Sequence, residues 1–162
     1  MKDDSGFTYI GLLAVIVVIG IMTSVIGQTW KSMAQVEKEK ELIWRGNQFR
    51  NAIQNYYNLG AIHGNPTYPA DLKDLLKDPR TAGTRRYIRR IYVDPITGKD
   101  DWVPILSNDR IVGVRSASDG APLKRDNFEP ADESFRGKTR YSEWTFQAAA
   151  AAGQPTTPPT TP

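Results

Sequence analysis

Residues 7–30 carry no charged side chain, and most positions from Ile10 to Ile26 are aliphatic. As a helix, a run of about 20 apolar residues rising 1.5 Å each covers about 30 Å, the thickness of a bilayer's hydrocarbon core. A segment that is apolar on every side has no face to offer water, so it fits a membrane or the centre of a helical assembly. It is not an ordinary secretory signal, which has a basic start and a small-residue cleavage site after the apolar run; here the small residue, Gly6, precedes it.

The chain changes character after Trp30. Residues 31–58 contain no proline and a single glycine, Gly46, and are rich in Glu, Lys, Gln and Ala, all of which favour a continuing helix. Leu42, Phe49, Ile53 and Tyr56 recur at helical spacing, flanked by Trp44 and Ala52, while Glu37, Lys38, Glu41 and Arg45 fall elsewhere; this stripe reads as the core face of a small domain. Gly60 and Gly64, followed by Pro66 and Pro69, mark the stop. From residue 8 to residue 58 the predicted rod is roughly 75 Å long.

Beyond it, residues 71–77 read as a short helix ended by Pro79. Residues 87–93, 102–106, 110–115 and 141–146 are short β-branched or aromatic segments separated by turn formers such as Asp94-Pro95, Thr97-Gly98 and Ser107-Asn108-Asp109, which predicts antiparallel hairpins. Residues 116–140 are polar and punctuated by Pro and Gly, as in a functional or mobile loop. The expected fold is α+β: a long N-terminal helix, with a membrane half and an amphipathic half, packed on a small antiparallel sheet that forms the head.

Composition removes several functions. With no cysteine there is no disulfide framework, thiolate metal site or cysteine nucleophile, and one histidine, His63, leaves a histidine zinc site or a Ser/His/Asp triad almost nothing to be built from. No carboxylate pair is singled out for acid–base work, so the expectation is a protein that is not an enzyme and needs no cofactor. The formal net charge of +3 points at most to weak anionic partners.

The segment from Gly6-Phe7-Thr8-Tyr9-Ile10-Gly11 through Gly20-Ile21 resembles the signal of type IV prepilins and of type II secretion pseudopilins, in which glycine immediately precedes phenylalanine at the edge of a membrane helix. Tyr68-Pro69, residues 85–92, Asp94-Pro95, Thr97-Gly98, Trp102 and residues 141–146 are similar to the head of the major pseudopilin class. The resemblance implies cleavage after Gly6 by a membrane-embedded prepilin peptidase and N-methylation of Phe7. It also implies a single-pass inner-membrane protein with its head in the periplasm, assembled with other pilin-like subunits by an ATPase-driven platform into a filament serving secretion. The chain then divides into a leader (1–6), a transmembrane and filament-core helix (7–30), an amphipathic helix entering the head (31–60), the head (61–147) and a disordered Ala/Pro/Thr tail (148–162). One position departs from the family: Gly11 stands at the fifth mature position, where pilins carry glutamate. Cutting before the apolar run keeps that run on the mature chain, so it can anchor first and pack among other helices later. Gly20, Ser24 and Gly27, with Thr23 beside them, present small residues at helical spacing where another helix could approach. Tyr9 and Trp30 are candidate interfacial anchors.

Two weaker constellations remain. Arg85, Arg86, Arg89 and Arg90, with Arg80 and interleaved Tyr87 and Tyr92, read first as a solvated edge paired with Asp71, Asp74 or Asp78. The alternative is a minor pilin holding DNA or another anion there, although no nucleic-acid-binding motif accompanies the charge. The resemblance to the major pseudopilin class, which binds calcium in a late loop, invites comparison with the stretch 116–126, which holds Asp119 and Asp126; its spacing does not match an EF-hand, and turn formation is the ordinary reading of these aspartates.

Overall fold

A computed structural model describes residues 5–149, with the side chains of 5–8 and 22–30 outside the description. The fold is α+β, with an N-terminal helix, α1 (Ser5–Ile62), and a three-stranded antiparallel sheet: β1 (Val103–Ser107), β2 (Arg110–Arg115) and β3 (Thr145–Gln147), in the order β1-β2-β3. Three short 3-10 helices, Leu72–Leu75, Pro130–Phe135 and Tyr141–Glu143, complete it. The chain divides into two compact units between Glu37 and Lys38. Residues 1–4 of the expected leader and 150–162 of the expected tail lie outside the described residues.

α1 ends where the sequence loses helix formers. Gly64 takes a positive φ of 76°, a left-handed conformation that glycine adopts without strain, and donates to the Ala61 carbonyl at 3.2 Å. Leu42, Phe49, Ala52, Ile53 and Tyr56 are buried, so the predicted stripe is the core face; Trp44, beside it, is 52% exposed. Against this face pack Trp102, Ile111, Val114 and Phe146 of the sheet region, and then Phe128, Phe135, Tyr141 and Trp144. Burying each large apolar side chain contributes about 1.5–3 kcal/mol, so this aromatic layer is the principal cohesive element of a domain without disulfides. Phe135 and Trp144 stack at 5.3 Å with nearly parallel planes. Gly46 lets α1 approach β3: a Cβ there would fall 2.4 Å from a carbon of the Phe146 ring.

The β1–β2 hairpin turns through Asn108 and Asp109, both at positive φ (50° and 59°), the pairing that matches the twist of adjoining strands. β2 has the predicted limits and β1 lies one residue later than the prediction.

Three expectations are corrected. Residues 87–93 are not a strand: the Tyr87 and Ile88 amides donate to the Leu75 carbonyl (2.9 and 3.3 Å), which clips this segment to the preceding 3-10 helix instead of a ladder. Residues 141–146 open as a 3-10 turn and become strand only at Thr145. Ala148, placed by sequence in a disordered tail, is fully buried and donates to the Val112 carbonyl at 3.0 Å, continuing the β2–β3 edge.

Candidate functional site

Two surfaces and a set of buried carboxylates carry what chemistry the chain has. In α1, every residue of 9–21 is exposed, the large apolar side chains by 45% to 68%. Gly11 and Gly20 have no neighbouring atoms within 4 Å of where a Cβ would sit. No side of this segment is spared. Among the described residues no helix is long and apolar enough to cross a membrane, and the rest of the uncharged run, 22–30, lies outside the described side chains. Ser24 and Gly27 of the small-residue face, Thr23 beside them and the Trp30 anchor fall there too. Gly6 and Phe7 are helical in backbone, with their side chains outside the description.

The head's surface is basic along 85–90. Arg80 is drawn inward: it pairs with Asp78 (2.9 Å), donates to the Tyr56 carbonyl at 2.9 Å and lies 3.6 Å above the Tyr56 ring. Arg85, Arg86, Arg89 and Arg90 are exposed, and among the described residues none forms an ion pair, so the expected pairing with acids holds for Arg80 alone. Arg89 and Arg90 border a groove of about 310 Å³ with Glu41, Trp44, Arg45 and Tyr92.

Among the described residues four carboxylates are buried, and only the pairing of Asp78 with Arg80 was expected from the sequence. Glu39 accepts from the Leu123 amide (2.6 Å), the Lys124 amide (3.0 Å) and the Tyr141 hydroxyl (2.6 Å), tying α1 to the late loop. Asp132 accepts from Arg50 (2.7 Å) and Asn47 (3.0 Å). Asp94 accepts from the Ile96 amide (2.8 Å) and the Ser116 hydroxyl (2.5 Å). Asp78 accepts from Arg80, through its amide and guanidinium, and from the Tyr87 hydroxyl at 2.8 Å. These contacts fix loops, and each carboxylate is engaged in hydrogen bonds.

No family model, curated protein or solved structure matches the chain.

In the late loop, Asp119 accepts from the Ser142 hydroxyl at 2.6 Å, and Asp126 is held by Arg136 and by the Asn127 amide. Among the described residues no three His, Cys, Asp or Glu side chains gather around a point that could hold a metal ion. His63 lines a cleft of about 350 Å³ at the end of α1 with Leu59, Asn65 and Thr81. Asp78 borders the same cleft, but its hydrogen bonds go to Arg80 and Tyr87, which leaves His63 without an orienting carboxylate.

The Asp78 cluster sets a pH dependence. Hydrogen bonds from Arg80 hold the Asp78 carboxyl down to about 2 from 3.8, against burial, which pushes it up. A depressed folded-state value stabilises the fold above the unfolded value and is lost as pH falls toward 2, about 2 kcal/mol in all. Tyr87 is pushed up to about 12, first by burial and then by its bond to Asp78, so its contribution is complete below pH 10 and lost as pH rises through 12. Urea unfolding of the native chain and of Asp78→Asn at pH 6 and pH 2.5 checks the first part. The variant is expected to lose less stability on acidification, by roughly 1–2 kcal/mol.

Proposed function

We propose that the chain is a pilin-like subunit, a pseudopilin of a type II secretion or type IV pilus-like system, that acts by polymerising through its apolar N-terminal helix. The observation that carries this reading is the exposure of residues 9–21 around the whole helix, inside an uncharged run that begins at the Gly6-Phe7 boundary. Left in water, that many large apolar side chains cost on the order of 10 kcal/mol or more, so lipid and then neighbouring helices must cover them. The head, by contrast, closes a core of its own, consistent with a soluble knob carried on an insoluble stem. The buried carboxylates are engaged in structural hydrogen bonds, and the chain lacks cysteine.

In this reading a prepilin peptidase cuts after Gly6 and Phe7 becomes the methylated amino terminus, in the inner membrane with the head in the periplasm. An ATPase-driven platform then lifts the subunit into a filament. Gly11 removes the carboxylate that would meet a neighbour's amino terminus, so packing in the stem has no buried charge pair to satisfy. Co-expression with a prepilin peptidase, followed by intact-mass measurement and N-terminal sequencing, tests it. The expected product begins at N-methyl-Phe7, and Gly6→Leu is expected to accumulate as uncut precursor. Normal trimming of Gly6→Leu, or a mature chain lacking residues 7–30, would overturn the assignment.

A further inference from the structure

The groove between α1 and residues 89–92 combines three kinds of group. Trp44 is half exposed and stands edge-on to Tyr92, with ring centres 5.5 Å apart. Arg90 lies 5.5 Å over the Tyr92 ring, which orients its guanidinium, and neither it nor Arg89 meets an acid among the described residues. Glu41 gives one oxygen, Oε1, to Arg45 at 2.5 Å, and its Oε2 meets no donor among the described residues. Arg45 is neutralised by Glu41 and donates to the Val93 carbonyl, with its buried Nε unpartnered among the described residues, so the unpaired positive charge of the groove belongs to Arg89 and Arg90.

We propose that this groove binds an acidic saccharide, with a sugar ring on the Trp44 indole and its carboxylate met by Arg89 and Arg90. An aromatic face carries negative charge density, which the C–H groups on one side of a pyranose ring meet favourably. Guanidinium groups match the planar geometry of a carboxylate and form charge-assisted hydrogen bonds with it. The open oxygen of Glu41 accepts from a sugar hydroxyl. A volume of about 310 Å³ falls at the small end of ligand clefts, room for a short oligomer segment.

A single-stranded nucleic acid fits less well. Its binding relies on several stacking platforms along a uniformly positive track, whereas here Trp44 is the one well-exposed ring and a carboxylate lines the wall. The saccharide reading stands apart from polymerisation, and either can fail without the other.

Calorimetric titration of the full chain in a sugar-free detergent tests it, with three probes: a galacturonate oligomer, a neutral galactose oligomer of equal length, and an oligothymidylate. The galacturonate is expected to bind, and the neutral sugar about tenfold more weakly, as loss of a charge-assisted contact implies. Trp44→Ala, and Arg89→Gln combined with Arg90→Gln, each weaken galacturonate binding about tenfold. Arg85→Gln with Arg86→Gln, outside the groove, leaves it within about twofold. Because Gln keeps most of the arginine stem and all these side chains are solvent-facing, the variants report on binding and not on folding. No galacturonate binding, equal binding of the neutral sugar, tighter binding of the oligothymidylate, or indifference to the Arg89/Arg90 change would overturn the proposal.

Discussion

Arg50→Ala is expected to destabilise the head by about 3–5 kcal/mol, because it leaves the carboxylate of Asp132 buried without its cation. The pair lies at 2.7 Å, with the Asp132 side chain almost wholly enclosed and Arg50 only slightly less so. Asn47 would still donate to Asp132, but an amide does not neutralise a charge. Arg50 also lies 5.9 Å over Phe135 and 5.5 Å over Phe146, so its loss weakens the aromatic layer as well. Chemical denaturation followed by near-ultraviolet circular dichroism measures the effect. Replacing both partners by apolar residues, Arg50→Met with Asp132→Leu, is expected to recover much of the loss, since a buried pair is worth little more than well-packed hydrocarbon. A single-variant cost below about 1 kcal/mol would show that Asp132 reaches water in solution.

Gly46→Ala is expected to destabilise the head by about 1–3 kcal/mol, opposite in sign to the usual effect. Inside a helix, glycine to alanine ordinarily stabilises by roughly 0.5–1 kcal/mol. Here the added methyl would sit 2.4 Å from one carbon of the Phe146 ring and 2.5 Å from two others, and that ring is fully buried against α1. Gly46→Leu should cost more still. Phe146→Leu provides the check: the combined Gly46→Ala, Phe146→Leu variant is expected to lose less than the sum of the two single changes, because a smaller residue at 146 makes room for the methyl. A stabilised Gly46→Ala would mean that helix and strand separate more easily than this contact allows.

Local signals in the sequence located the local elements. Gly60 and Gly64 marked the end of α1 near Ile62, the spacing from Leu42 to Tyr56 marked its buried face, and the turn formers at 107–109 marked the β1–β2 hairpin. All of these depend on neighbours a few residues apart. Residues 87–93 failed as a strand although their aromatic and β-branched composition suits one, because a strand needs a ladder and this segment's amides at 87 and 88 are taken by Leu75. The partners of Glu39 and Asp132 were invisible for the opposite reason. Asp132 finds Arg50 across 82 residues and Glu39 finds Tyr141 across 102, distances over which composition and periodicity carry no information. Asp94 was correctly placed in a turn, yet its burial beneath Ser116 could not be inferred from a dipeptide. The groove at Trp44 was half legible: the arginines and tyrosines were evident, while the exposure of a tryptophan flanking the core stripe was not.

The large apolar side chains of the stretch 9–21 are uncovered to a similar degree all the way round. In the bundle we propose, Gly11 supplies no polar peg to fix the register of one stem against the next. In the assembly we propose, the angular step and rise would then be set by contacts between the heads.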